Sequence, residues 1–320
     1  MKNKTLKVLE VLKQNFGSFV SGENIAKLLK ISRAGVYKIV NKLNKEGYHI
    51  IKNKKLGYKL INKKFAPEEV LKQNFRLIKK IYYYKTTDST MNVAKEILTQ
   101  QQIDKVLIIA EKQTEGKGRI QRRWFSPKGG IYFSLILKPQ ISPNKIFILN
   151  YLFSVAIAEV LRKKYFVNAT TKWPNDVVVN DKKICGILIE ADTEIDNVNW
   201  CIVGVGVNVN IKKEFFLNHD LNATSILAET KINYDLTKFL IDLLYEIDKW
   251  YQMFLKKNYS DIIKRWVEIS STVGKQVEVI TFNERIQGKA VKILQETGAL
   301  VVKTKSGFRE ILSGDCIHLR

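Results

Sequence analysis

The sequence is short of cysteine, of acid and of long apolar runs. Its three cysteines, Cys185, Cys201 and Cys316, are far apart and odd in number. They argue against a disulfide framework or a zinc site, and they fit a reducing cytoplasm. The N-terminal stretch MKNKTLKVLEVLKQN has no continuous apolar core and no cleavage site, so no secretion signal is expected. The most apolar segment, 146–161, carries Asn150, Ser154 and Glu159. It reads as a buried helix rather than a membrane span. Internal repeats and low-complexity tracts are also missing. What remains is a soluble globular composition, 45% hydrophobic and 27% charged. At 320 residues the chain has room for two or three domains.

Acid is scarce everywhere, since 31 Asp and Glu face 54 Lys and Arg for a net charge of +23. General lysine abundance would be the bland explanation. The distribution argues for a local purpose. Residues 1–64 hold fifteen Lys and one Arg against three Glu, so a fifth of the chain carries +13 of the total.

That segment has a legible pattern. Leu6, Leu9, Leu12 and Phe16 recur at helical spacing. Ser21 sits at an N-cap position before Ile25, Leu28 and Leu29. Ser32 caps a third helix with Val36, Ile39, Val40 and Leu43 inward, and Gly47 is placed as its stop. A basic hairpin pairing 48–52 with 58–61 follows. Helix, helix, tight turn, helix and hairpin predict a winged helix-turn-helix over residues 1–63. Its third helix would offer Ser32, Arg33, Ala34, Tyr37, Lys38, Asn41 and Lys42 to DNA, and the hairpin Lys52, Lys54, Lys55 and Lys59. A protein-docking domain with a solvated basic face is the alternative.

Residues 64–80 read as a linker. From 81 to 270 the pattern predicts an α+β domain with a mixed or antiparallel sheet. Strands are expected at 106–110, 131–137, 177–180, 184–190 and 200–210, and helices at 91–100, 145–164, 235–256 and 259–269. Residues 271–320 switch to short strands, 276–280, 288–294, 299–304, 308–313 and 316–319, predicting a small barrel.

Four stretches carry chemistry. EGKGRIQRRWFSP (115–127) could be a solvated basic loop, a nucleic-acid contact or a phosphate cradle. Gly116 and Gly118 permit close backbone approach, and Arg119, Arg122 and Arg123 suit oxyanions. Trp124 could stack on a ring. KWPND (172–176) offers Lys172 with Asn175 and Asp176, oxygens suited to magnesium-bound phosphate. DKKICGILIE (181–190) puts two lysines at a turn before a strand bearing Gly186. GVGVNVN (204–210) alternates glycine and valine and ends near Asn208. It fails as a dinucleotide fingerprint because no helix pattern follows. Taken singly, each stretch could serve packing or solvation alone.

Together they resemble the biotin–protein ligases. DST at 88–90, Gln113 with GKGR at 116–119, RRWFSP at 122–127, KWPND, Lys183 with CGILIE at 185–190, and GVGVN at 204–208 occur in the order of that family. Lipoate ligases share the fold without this set. With the winged helix, the resemblance is to the class that is both ligase and biotin-operon repressor.

The resemblance implies a class II synthetase-like central domain over 81–270 and a C-terminal SH3-like barrel over 271–320. It implies biotin near Ser89, Thr90, Met91, Gln113, Gly116, Lys117, Gly118, Arg119, Lys183 and Gly186. ATP and the adenylate would meet Arg119, Arg122, Trp124, Asn175, Asp176 and Asn208, with Mg²⁺ near Asp176. Lys183, Arg119, Arg122 and Lys172 would stabilise charge in the reaction. The implied partners are biotin, ATP, the biotin carboxyl carrier protein of acetyl-CoA carboxylase and operator DNA. A ligand-promoted homodimer, no membrane and a cytoplasmic location go with them. The chain departs from the family at Lys117, where arginine is usual, and at Met91, where many members have asparagine. A ligase with a non-regulatory N-terminal domain and a non-catalytic biotin-sensing repressor are the rival readings.

Overall fold

The computed structural model describes residues 2–45, 48–62 and 65–319. The N-terminal unit is α1 (Lys2–Gln14), α2 (Gly22–Leu29), α3 (Arg33–Lys45) and the antiparallel pair β1 (His49–Asn53) and β2 (Gly57–Asn62). Its own core unites Val8, Leu12, Ile25, Val36, Val40, Leu43, Ile50 and Leu60. Both predicted caps form. Ser21 Oγ accepts from Glu23 N–H at 3.2 Å, and Ser32 Oγ from Gly35 N–H at 3.0 Å. Two apolar positions of these helical patterns do not face the core, for Leu6 is 58% and Leu28 67% exposed. Each stands two positions from a buried residue, Val8 and Ala26, and so about 200° around its helix. The stop assigned to Gly47 lies outside the described residues. The wing is braced by Val20, which exchanges two 2.8 Å backbone hydrogen bonds with Tyr58. Gly57, at φ +100°, is required there because a Cβ would overlap the Val20 carbonyl.

The chain continues through α4 (Pro67–Leu71), β3 (Lys80–Tyr84), α5 (Thr90–Gln100), β4 (Val106–Ala110), β5 (Ile131–Leu137) and α6 (Phe147–Lys164). Then come β6 (Thr170–Lys172), β7 (Asp176–Val179), β8 (Lys182–Thr193), β9 (Val198–Val207), α7 (Lys213–Asn218), α8 (Ile226–Thr230), α9 (Leu236–Leu255) and α10 (Tyr259–Glu268). The expected strands and longer helices are present; β3, β6, α7 and α8 were not read from the sequence.

Residues 65–77 are no free tether. Phe65, Val70, Phe75 and Leu77 are buried in the main core, and Ala66 N–H donates to Thr237 Oγ1 of α9 at 3.0 Å. The apolar spacing in this segment is that of a packed strap.

Seven strands form one sheet in the order β3-β4-β5-β9-β8-β7-β6, with β3 parallel to β4 and the other pairs antiparallel. One face is covered by α6, α9 and α10. Among the described residues one helix, 143–164, is long and apolar enough to cross a membrane, and it is packed in this core as expected. Its buried Glu159 pairs with Lys163 and Arg265. The opposite face is covered only in part, by α5, through Met91, Val93 and Ala94 against Val106, Ile108, Ile136 and Ile202. Beyond that patch the sheet is stripped to glycine, and a cavity opens.

The last unit is an antiparallel sheet of β10 (Gln276–Ile280), β11 (Arg285–Ile293), β12 (Leu300–Thr304), β13 (Gly307–Ile311) and β14 (Asp315–His318), in the order β13-β12-β11-β10-β14. It docks on α6, where Tyr151 O–H donates to the Gly298 carbonyl at 2.5 Å. β14, paired with β10, lies at the cavity rim.

Candidate active site

The floor is set by strand register. Gly204 and Gly206 of β9 alternate with inward valines, and Gly206 pairs with Gly186 of β8. All three face the open side of the sheet. A Cβ on Gly206 would overlap the Trp124 indole, and one on Gly204 would stand 2.6 Å from Met91 Sδ. One on Gly186 would stand 3.0 Å from both Lys183 Cε and the Trp124 ring. Glycine at these places therefore makes room for planar and aliphatic groups on the sheet. The cavity above holds about 510 Å³.

Thirteen of the sequence-derived ligand residues line it together with Gly186 and Asn208: Ser89, Thr90, Met91, Gln113, Lys117, Gly118, Arg119, Arg122, Trp124, Lys172, Asn175, Asp176 and Lys183. Gly116 does not. A Cβ there would overlap the Trp124 carbonyl and stand 2.7 Å from Ser126 Oγ, so this glycine serves the hairpin's own closure.

One end of the cavity is a buried polar relay. Ser89 caps α5, accepting from Met91 N–H at 3.2 Å. Gln113 Oε1 accepts from Thr90 N–H at 2.8 Å and Thr90 O–H at 3.1 Å, while its Nε2 donates to Ser126 Oγ at 2.8 Å. Ser134, on β5 opposite Gly204, donates to Thr90 Oγ1 at 2.8 Å. With every member partnered, this network is a rigid polar wall. Ser134 escaped the sequence reading because its strand looks like uniform core.

The Gly/Arg-rich stretch is a tight hairpin rather than an irregular loop. Gly118 N–H bonds to Arg122 O and Trp124 N–H to Gly116 O, both at 2.7 Å. Its turn places Ile120 and Gln121 at φ +52° and +55°, the left-handed pair that closes a two-residue hairpin. For a β-branched residue such as Ile120 that conformation is strained. Arg119 Nη1 donates to Asn175 Oδ1 at 3.2 Å and to the Gly314 carbonyl at 3.3 Å. Burial pulls its guanidinium below the usual range, against the opposing pull of Asp315 and Asp176. Arg122 pairs with Asp315. Lys117, the departure from the family pattern, donates to Asn92 Oδ1 on α5. Arg123 lies 5.0 Å over the Phe125 ring and donates to Thr114 O.

Lys183 is the cation nearest the floor. Its ammonium is 2.7 Å from Asp176 Oδ1 and 5.3 Å from the Trp124 ring centre. The indole N–H of Trp124 is buried with no acceptor among the described residues. Such a donor costs about 1–3 kcal/mol unless something accepts from it. The two asparagines are committed to the scaffold. Asn175 Nδ2 donates to the Ile187 carbonyl, and Asn208 Nδ2 to the Thr224 carbonyl at 3.0 Å. Groups of three or more His, Cys, Asp or Glu placed to hold a metal are absent among the described residues. Asp176 is a single carboxylate beside Lys183.

Two walls are built from residues that the sequence did not single out. Phe215, Phe216, Leu221 and Ala223 form one. It is tied on by Lys183 N–H to Asn222 O at 3.1 Å and Thr224 N–H to Lys183 O at 2.9 Å. The adjacent Phe215-Phe216 pair after a glycine-rich strand was the available signal. The other wall is Ile280, Asp315, Cys316 and Ile317 from the C-terminal sheet.

On the winged unit, Arg33, Ala34, Tyr37, Lys38 and Lys42 of α3 are exposed, Asn41 is half-buried, and Lys54 stands exposed at the wing. Ser32 spends its hydroxyl on the cap. Lys52 reaches back to α3, lying 4.4 Å over the Tyr37 ring and donating to Asn41. Wing and helix thus form one surface.

Three family models match the chain: an HTH domain over 4–59, the biotin/lipoate A/B protein ligase family over 83–208, and the biotin protein ligase C-terminal domain over 272–319. A bifunctional ligase/repressor BirA of Bacillus subtilis is 32% identical over 316 residues, covering 96% of each chain. Its Escherichia coli counterpart is 27% identical over 331 residues, covering 100% of this chain and 99% of its own. Among solved structures, a biotin protein ligase from Aquifex aeolicus in complex with biotin and ATP superposes with a TM-score of 0.64 at 28% identity, covering 76% of this chain and 100% of its own.

Proposed function

We infer the activity of this chain from a plain premise: it belongs to the biotin protein ligase family. It is a bifunctional biotin ligase and transcriptional repressor. The observation that carries the residue-level reading is the convergence of Arg119, Arg122, Lys172 and Lys183 on one cavity with a glycine floor. That is a site for an anion lying against a flat, apolar body.

In the proposed first step, an oxygen of the biotin carboxylate attacks the α-phosphorus of ATP. The bond to the bridging oxygen breaks, pyrophosphate leaves with the electron pair, and biotinyl-5′-AMP forms. Protein nucleophiles are unnecessary, because positioning and charge neutralisation suffice. Lys183 would exchange Asp176 for the biotin carboxylate and α-phosphate. Arg119, Arg122 and Lys172 would stabilise charge developing on the phosphates. Mg²⁺ would enter as part of the MgATP substrate, with Asp176 and Asn175 close to it. The polar relay around Ser89, Thr90 and Gln113 would face the biotin ring, and Trp124 the adenine side. A ligand acceptor would also satisfy the buried indole N–H.

In the second step, a lysine amine of the biotin carboxyl carrier protein attacks the acyl carbon of the mixed anhydride. AMP leaves, and the amine proton passes to solvent or to the phosphate. Exclusion of water by the 116–124 hairpin would protect the anhydride. We assign 1–63 to a winged helix-turn-helix that reads operator DNA through α3 and the wing, 81–270 to a class II synthetase-like domain, and 271–320 to an SH3-like barrel. A cytoplasmic enzyme whose dimerisation is promoted by the adenylate completes the proposal.

Biotin-dependent exchange of pyrophosphate into ATP tests the first step. The folded protein should catalyse it, and absence of exchange would sink the residue assignments. Operator affinity that ignores both biotin and ATP would count against the ligand-driven half.

A further inference from the structure

The C-terminal sheet meets the glycine-rich hairpin at the entry to β14. Arg119 donates to the Gly314 carbonyl at 3.3 Å, and Arg122 pairs with the Asp315 carboxylate. This entry is itself firmly seated. Asp315 pairs with Ile280 of β10, and Gly314, at φ +159°, would set a Cβ 2.8 Å from the Ile280 carbonyl. The hairpin's base, by contrast, is secured by Gly116, Trp124 and the Gln113–Ser126 bonds within its own domain. Its outer half carries the arginines and reaches across to residues about 190 positions away in sequence.

We propose that Asp315 is a positioning residue for the ligase reaction: it latches Arg122, and through it the hairpin, over the bound adenylate. The C-terminal sheet would thereby act in adenylate retention. Arg122 is 66% exposed on its side chain and Asp315 26%. Alone, such a guanidinium would sample many positions; the carboxylate limits it to the cavity rim before nucleotide arrives. A partly exposed pair is worth little to global stability, so its effect should fall on ligand retention rather than on folding.

This inference rests on the ligase reading, and the two can fail separately. Exchange by the wild-type protein reports on the reading, and the Asp315 variants report on the latch. Asp315→Asn keeps the shape and removes the charge. It should raise the KM for ATP and speed release of biotinyl-5′-AMP from the full-length protein by roughly threefold to tenfold. The KM for ATP should change more than the kcat, and the melting temperature should stay near wild type. Asp315→Glu should recover much of the retention. In an Arg122→Gln background, Asp315→Asn should add little, because the pair is already broken. Unchanged adenylate release in Asp315→Asn, or fully additive effects in the double variant, would overturn the proposal. Should Asp315→Asn unfold the protein, the retention of Asp315→Glu and Asp315→Ser decides in the same way.

Discussion

The winged unit and the ligase cavity are both basic, yet they are assembled in opposite ways. Residues 2–62 bury their own apolar stripe, cap their own helices and place the exposed cations of α3 beside those of the wing. Each feature depends on residues at most a few dozen positions apart. The cavity draws on α5, the 116–124 hairpin, the β6–β7 turn, β8, β9, the 215–223 wall and the C-terminal sheet. Of its cations, Arg122 is held by a partner from a distant segment, Asp315, while Lys183 pairs with Asp176 of the adjoining strand. A local design of this kind can be damaged alone, whereas a composite one fails wherever any contributor shifts.

Leu43→Ala would break that comparison most severely. Leu43 is 1% exposed in the small core, and its truncation should cost about 2–5 kcal/mol, enough to unfold a unit of this size. Operator binding in a gel-shift assay should be lost while pyrophosphate exchange persists. Parallel loss of exchange would show that the two regions are not independent. Gly206→Ala attacks the other side. Overlap with Trp124 should cost about 1–3 kcal/mol and slow adenylate formation roughly tenfold or more, with melting of the winged unit unaltered in urea.

Arg119→Gly removes bonds to both Asn175 and Gly314. Release of biotinyl-AMP should rise roughly tenfold, and a release rate equal to wild type would remove Arg119 from the cradle. Ser21→Ala deletes the α2 cap and should lower the stability of the winged unit by about 1 kcal/mol, read from its urea midpoint. Lys38→Ala is the mildest change. It should weaken operator binding across sequences and reduce the salt slope by about 1.

The difference in assembly explains what could be read in advance. Periodicity and capping residues located α1 to α3, and short apolar runs located β4, β5, β8 and β9, since those signals are local. The inward facing of Leu6 and Leu28 could not be settled locally, because each helix offers more apolar positions than its core can take. The segment 65–77 looked like a linker because its burial depends on α9, about 170 residues away. The hairpin form of 116–124 was hidden because its strand partners are only a few residues long and its turn holds Ile120 and Gln121 instead of the usual Asn-Gly.

The sequence by itself determined the set of chemical groups: glycines where the sheet must be bare, arginines and lysines for an anion, and a basic third helix. Tertiary structure alone decided which of them face one another. Gly116, alike in sequence to Gly118, turned out to serve the hairpin's own backbone. Asn175 and Asn208 lend their amides to the scaffold. Asp315 became part of the site although nothing around it signals chemistry. The physical reason is distance along the chain. A side chain's type and its near neighbours are written locally, but the partner of a charge is fixed by packing between segments that meet only in the folded state.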